Sequence, residues 1–411
     1  MTDKNSSMSM GNFKELLKLR VSAGDKVLEH HLNKCAKNAT HVSKTSQNEF
    51  LLCIKENSQN TIVSEIKEQD EGPYYGIQVD EVTDSSTWEQ LGLVVRYWSK
   101  DGKPVERLLE FIACEEITGE AICDNVIRAL TEAGLDPKMC RSQTMDGAGN
   151  MSGKNAGFAA RFSRESPRAI YHYCSSHNLN LVLCKSCQVK DVTIMLDTLK
   201  GLGIFFKYSP KRSRRLEKAI EETQESTDGT KQKKKKFKVF CETRWVEKHT
   251  CLDDFEDSIS QQERCLDGKA IVEANGLLKK ITDPCFIFTF TVVHHFFGYF
   301  SGLSKKLQGS TIDIEQAYGL VDTVKEAVCG ARNDESIFER VFETASTMAK
   351  AANLTTLEPA RQCSRQTQRN NVPSSSPKEY FKRALFLPFI DAIISQVNLR
   401  FSSLSKQVVR G

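Results

Sequence analysis

Tyr75-Gly-Ile-Gln-Val-Asp-Glu-Val82 alternates apolar and polar residues with a period of two, the pattern of a strand that buries one face. Two further β-rich runs follow, Leu91-Gly-Leu-Val-Val-Arg-Tyr-Trp98 and residues 105–114, and Asp101-Gly102 between them is a hairpin-type turn signal. Three such strands in succession read as a meander. Downstream the period changes to that of a helix. Thr118 fits an N-cap, Ile122, Val126, Ile127 and Leu130 form one apolar face, and Gly134 stops it. Next come a short strand over 141–145, the glycine-rich turn Asp146-Gly-Ala-Gly-Asn-Met-Ser-Gly153, and a helix to about Ser163. A strand over 169–173 and a helix from about Ser176 complete the order β-β-β-α-β-α-β-α. That order predicts an α/β fold, a mixed sheet with helices on both faces.

On either side of this core the chain reads as helical. Residues 1–72 are polar with an apolar stripe starting at Phe13, Leu16, Leu17 and Leu19, and 49–66 carry a second. Beyond the core at 73–200, strand signals fade. Residues 201–240 read as an exposed basic loop containing KRSRR (211–215) and KQKKKK (231–236). Residues 241–357 read as all-α: Ile314, Ala317, Val321, Val324 and Val328 step by three and four, and Ile337, Val341, Ala345 and Met348 nearly so. Residues 358–378 look like a linker, and 379–411 a terminal helical segment.

With 57 Lys and Arg against 53 Asp and Glu, the net charge of +4 is too balanced to mark a nucleic-acid binder by charge alone. The 39% hydrophobic content excludes wholesale disorder over the 411 residues. No secretory signal opens the sequence, and 14 cysteines without one point to free thiols in a reducing compartment. The nearest approach to a membrane span is CFIFTFTVVHHFFGYFSGL (285–303). Its adjacent histidines and hydroxyl residues argue for a buried helix and no membrane.

Two aspartates stand at strand ends, Asp80 in the first strand and Asp146 after the fourth. Close carboxylates repel unless a cation neutralises them, and their hard oxygens suit Mg²⁺ or Mn²⁺. Two such ions could clamp the attacking and leaving oxygens of a phosphodiester. The competing reading is that strand-end aspartates are turn formers, for which Asp146-Gly147 is also a good pair. Asp84 competes with Asp80, but Ser-Ser-Thr after it favours a loop or capping role.

Cys174, His177, Cys184 and Cys187 invite a zinc reading. His177 and Cys184 lie about 10.5 Å apart along one helix, too far for a single tetrahedral site. The glycine turn lacks both the GxxxxGK[ST] and the full GxGxxG pattern of nucleotide-binding loops. Its small residues instead let the backbone pass close to the sheet edge beside Asp146. The basic clusters read equally as a nuclear-localisation signal, a phosphate-contacting surface or a solvated loop. Arg244-Trp245 could stack on an unpaired base and contact its phosphate, or anchor a helix.

Seven blocks occur in order: Gln47-Asn-Glu49, Val79-Asp-Glu-Val-Thr-Asp84, Met145-Asp-Gly-Ala-Gly-Asn-Met-Ser-Gly-Lys154, Tyr173-Cys-Ser-Ser-His-Asn-Leu-Asn-Leu-Val182, Thr243-Arg-Trp245, Leu307-Gln308 and Phe386-Leu-Pro-Phe-Ile390. Together they resemble the DUF4371-type region shared by hAT-superfamily transposases and their host-derived relatives. The resemblance implies a ribonuclease-H-like mixed sheet with flanking helices, interrupted by a large all-α insertion, with the first and fourth strands adjacent. It makes Asp80 and Asp146 the first two members of a DDE metal triad holding Mg²⁺ or Mn²⁺. Trp245, with Arg244, would handle DNA, and Cys174 and His177 match a Cys-x-x-His pair of unclear role.

The family's third carboxylate, in a Ser-Glu-Arg-x-Phe-Ser-like motif, has no counterpart before the final LSKQVVRG, and Glu242 is not promoted in its place. The dimerisation segment and N-terminal zinc finger of the family are missing as well, which leads to an expected monomer or weak dimer. The expectation is a transposase-derived nuclear protein, catalytically impaired, acting through DNA or nuclear protein partners. The alternative is an active transposase once a further C-terminal part supplies the third carboxylate.

Overall fold

The computed structural model describes residues 11–36, 38–214, 270–309, 312, 314–359 and 372–401. Two compact units separate, one within 1–143 and 149–171, the other within 144–148 and 172–411.

In the first unit, helices α1 (Asn12–Ser22), α2 (Lys26–Lys34) and α3 (Lys44–Lys67) precede the meander β1 (Tyr75–Thr83), β2 (Glu89–Trp98) and β3 (Pro104–Cys114). Both pairings of the meander are antiparallel, with a bulge between Leu93 and Val94. Period-two burial holds on β1 and β2, at Ile77, Val79, Leu91, Leu93, Val95 and Tyr97, while on β3 the bulge makes Leu109 the extra residue and Leu109, Ile112 and Cys114 are buried. Helix α4 (Gly119–Ala133) packs on β3 and buries Ile122, Val126 and Leu130. It begins where expected, with Thr118 Oγ1 accepting from Ala121 N at 3.2 Å. It ends at Gly134, whose φ of 87° is the left-handed cap that glycine adopts without strain.

The core continues through β4 (Cys140–Met145), α5 (Gly149–Ser152), α6 (Phe158–Glu165) and β5 (Ile170–Tyr173). The sheet is mixed, with strand order β3-β2-β1-β4-β5, so the first and fourth strands are neighbours as the motif blocks implied. Among the described residues no strand follows Tyr173.

The stripe expected over 49–66 is buried only at its end. Ile62, Val63 and Ile66 are covered, whereas Phe50, Leu51, Leu52 and Ile54 are exposed. Only the last turns of α3 reach the meander; Gln59 Nε2 donates to the Leu109 carbonyl at 3.2 Å, and the Tyr97 hydroxyl bonds Glu65.

The second unit is helical. It holds α7 (Ser175–Ser186), α8 (Lys190–Lys207), α9 (Ala270–Ile281), α10 (Pro284–Leu307), α11 (Ile314–Asn333) and α12 (Glu335–Ala351). Its last helical run comprises α13 (Pro377–Phe381), a π-turn (Lys382–Phe386) and α14 (Leu387–Arg400). Pro388 has no N–H to give the carbonyl four residues back, and the backbone widens there.

Helix α10 is long and apolar enough to cross a membrane by length and composition, yet it is the core of this unit. Its phenylalanines interlock with those of α12 and α13. Phe288 lies 4.6 Å from Phe381 and 6.4 Å from Phe338, centroid to centroid. The hydroxyls that argued against lipid bond back into the helix, Thr289 to Cys285 O at 2.6 Å and Thr291 to Ile287 O at 2.9 Å. The faces read on α11 and α12 are covered at Ala317, Val321, Val328, Val341, Ala345 and Met348. Beyond α8 the chain is still helical over 210–214, where Arg212 lies over the Phe205 ring at 4.0 Å and donates to its carbonyl at 3.0 Å. The described part of KRSRR is thus anchored to a helix; KQKKKK lies outside the described residues.

Candidate active site

The alternation of β1 that buries Val79 turns Asp80 to the opposite, exposed face. There its Oδ1 accepts from Glu81 N at 3.1 Å, and its cross-strand partner is Gly92. Asp84 is spent on structure. Its Oδ1 accepts from Trp88 N at 3.0 Å and Ser86 N at 2.7 Å, closing the turn between β1 and β2. The Trp88 amide, followed by that of Ser86, holds its carboxyl below the usual range. The loop role expected for Asp84 is the one it has.

Glu81 points away from Asp80 and receives the Asn150 side-chain amide at 2.8 Å. Asn150 also donates to the Ile117 carbonyl at 2.9 Å, so the glycine-rich segment is pinned to the end of β1 through its asparagine. Neither residue stood out in the sequence. Asn150 was legible only as part of the glycine block.

In the second unit Asp146 follows β4 directly, and its Oδ1 accepts from Ala148 N at 3.0 Å. This is the turn-forming role that the Asp146-Gly147 pair offered in the sequence. Cys174 N donates to Met145 O at 3.0 Å and draws the end of β5 alongside. That contact lays Tyr173 over the turn: a Cβ on Gly147 would stand 1.8 Å from the Tyr173 hydroxyl oxygen. Any side chain there would push the Tyr173 ring aside, and this is the close approach the small residues were expected to permit. Burial raises the Tyr173 phenol above its usual pKa, and the Asp146 carboxylate raises it further.

His177, on the first turn of α7, has its ring 5.7 Å from that of Tyr173. Cys174 is the half-buried N-cap of α7 and makes no side-chain cap bond. The Cys-x-x-His pair thus flanks Tyr173 beside the Asp146 turn, and Tyr173 is the residue that sequence reasoning missed. Its signal was its place immediately before Cys174. Among the described residues no group of three or more His, Cys, Asp or Glu side chains is placed to hold a metal. Arg244 and Trp245 lie outside the described residues.

A family model described as DUF4371: ZMYM1/FAM200, RNase-like domain matches residues 2–157. The match takes in the meander, α4, β4 and the glycine block, with both Asp80 and Asp146. The chain is also similar to the 52 kDa repressor of the inhibitor of the protein kinase. It is 27% identical over 409 residues to the Homo sapiens protein and 27% over 410 residues to that of Mus musculus. Each alignment covers 95% of this chain and 52% of the relative, so the chain spans about half the length of the curated relatives it matches.

Proposed function

We propose that this chain is a transposase-derived regulator with an RNase-like region in which Asp80 and Asp146 are each candidate ligands of a divalent cation, and which acts by holding DNA or protein rather than by cutting. The observation that carries this reading is the adjacency of β1 and β4 in the sheet, one carrying Asp80 and the other leading straight into Asp146. Their oxygens are the hard donors that Mg²⁺ or Mn²⁺ takes, and two carboxylates leave most of the coordination shell to water and phosphate. Bound there, the cation would supply Lewis-acid charge to a phosphodiester oxygen. Tyr173 and the Ala148 amide hold the Asp146 turn in shape for it.

Binding is favoured over cutting because no third acidic ligand joins either aspartate among the described residues. The similarity to a repressor supports a nuclear, regulatory role with DNA and nuclear proteins as partners. Arg244 and Trp245 are the proposed DNA contacts outside the RNase-like domain. The second reading is an active hAT-type DNA transposase, which needs a third carboxylate supplied from elsewhere; the hard-oxygen pair itself favours it.

Thermal unfolding in Mn²⁺ or Mg²⁺ tests the cation site. A ligand at 100 times its Kd stabilises the fold by about 2.7 kcal/mol. We expect wild-type stabilisation that disappears in both Asp80→Asn and Asp146→Asn. A wild type insensitive to metal would rule out the cation site. Metal-dependent nicking of supercoiled DNA by the same chain would shift the choice to the enzyme.

A further inference from the structure

Within the second unit, helix α14 packs along α7. The two helices carry side-chain atoms that are buried without a hydrogen-bond partner: Asn180 Oδ1 on α7, and Gln396 Oε1 and Arg400 Nε on α14. A buried water can satisfy an amide oxygen. A guanidinium is a different case, because enclosing a charge without a counter-charge is costly, and arginine is seldom buried unless paired. Among the described residues Arg400 makes no hydrogen bond and no ion pair. Its place in the last turn of α14 suits the helix dipole, yet its Nε bonds none of that helix's carbonyls.

The fold brings this charge to the start of α7. Phe401, the next residue, is buried and meets the Tyr318 ring edge-on at 5.9 Å, which fixes the end of α14. Burial and then the Asp146 charge raise the Tyr173 phenol, while the Arg400 charge opposes them, so aspartate and arginine both reach one hydroxyl. Tyr173 leads into α7, a 12-residue helix whose N-cap Cys174 gives no side-chain cap bond to the first-turn amides. Those amides form the positive end of the helix. His177 stands on the same turn, its ring 5.7 Å from that of Tyr173.

Resting on the reading of Asp146 as part of a phosphodiester site, we propose that Arg400 is the anion-binding residue of that site. It takes a phosphate group between its guanidinium and the first turn of α7. A tetrahedral phosphate has oxygens enough to accept from the guanidinium fork and from helix amides together, whereas the fork alone fills a carboxylate. The arginine also offsets the repulsion between that phosphate and Asp146. The anomaly is explained at the same time: the unpaired charge is the empty half of an ion pair that the ligand completes.

The test is thermal unfolding of the full chain as wild type, Arg400→Met and Arg400→Lys in phosphate-free buffer. Inorganic phosphate, dimethyl phosphate and acetate are titrated separately, and Mn²⁺ in parallel samples. We expect phosphate to raise the wild-type melting temperature and acetate to leave it unchanged; a matching response to dimethyl phosphate identifies a diester as a ligand, and its absence a free phosphate. The apparent phosphate Kd should rise about 10- to 150-fold in Arg400→Met, the effect of losing a charge-assisted hydrogen bond. Arg400→Lys should recover part of the affinity, since lysine keeps the charge without the fork. Without phosphate, Arg400→Met should melt no lower than the wild type, because it removes an unpaired buried charge. A merely structural arginine would melt lower on substitution.

Phosphate stabilisation that persists in Arg400→Met, or a lower melting temperature of that variant without phosphate, overturns the anion site. Equal stabilisation by acetate overturns the selection of phosphate. A wild type that responds to Mn²⁺ but not to phosphate loses the anion site and keeps the cation reading. One that responds to phosphate but not to Mn²⁺ keeps Arg400 and loses the cation.

Discussion

The meander and helix α10 are the two most regular apolar segments of the molecule, and they spend their apolar residues in opposite ways. The meander strands bury one face and leave the other to residues that include Asp80, Gln78, Leu108 and Phe111. Helix α10 is enclosed almost all round, from Phe286 through Phe300, by α12, α13 and the π-turn. A half-buried sheet can hold charged and aromatic groups at a surface without losing its fold. An enclosed helix has no surface to offer and supplies stability instead. The candidate chemistry accordingly sits at strand ends and on the open sheet face, while the helical unit carries the densest aromatic packing.

The sharpest way to break that contrast is to empty the helical core. Phe288→Ala removes a ring that touches Phe338, Phe342 and Phe381. We expect a loss of about 3–5 kcal/mol by denaturant unfolding; a loss below about 1 kcal/mol would show that α10 is not the core it resembles. Overpacking the first unit should cost less. A Cβ on Gly119 would stand 2.4 Å from the Ala156 carbonyl oxygen and 2.8 Å from Asn150 O and Phe158 N, backbone atoms that cannot swing aside. Gly119→Ala should cost about 1–3 kcal/mol. Because Asn150 belongs to the glycine block, the metal-induced shift in melting temperature should fall with it.

A smaller effect is expected from pH. Burial holds His295 on α10 and His172 on β5 below the usual histidine pKa, so both fold as neutral imidazoles. A base with a depressed folded pKa contributes stability that is fully present above its unfolded value, about 6.5, and is lost as pH falls below it. Melting temperature should therefore decline between pH 7 and pH 5, and His295→Gln should flatten the decline. An unchanged slope would place the titration elsewhere. The smallest effect belongs to the open face: Leu108 is 46% exposed, and Leu108→Ser should alter stability by no more than about 0.5 kcal/mol. A larger loss would mean that this face is covered in solution.

Much of the architecture was readable along the chain because it is set locally. Thr118 and Gly134 bounded α4 through capping chemistry, and the three- and four-residue steps of α11 and α12 named residues that are in fact buried. Period-two alternation located β1 and β2, and the turn residues after Asp84 disclosed its structural duty. The stripe over 49–66 misled for an equally physical reason. Periodicity shows which residues could share a buried face, not whether anything is there to cover it, and α3 meets the meander only over its last turns.

The site was legible as a pair of aspartates and a glycine block, and no further. Tyr173 lies over Gly147 from 26 positions along the chain, and Phe111 joins the row of Asp80 through a glycine on the strand between them. Alternation assigns each residue to one side of its strand but leaves open which strands are neighbours and in what register they pair. The sequence by itself determined the strands, the helix faces, the caps and the candidate carboxylates, all consequences of local period and turn chemistry. The tertiary structure decided that β1 lies beside β4, that α10 is a core, and that Tyr173 lies over the Asp146 turn. Those outcomes depend on contacts between segments far apart in the chain, whose partners no local pattern specifies.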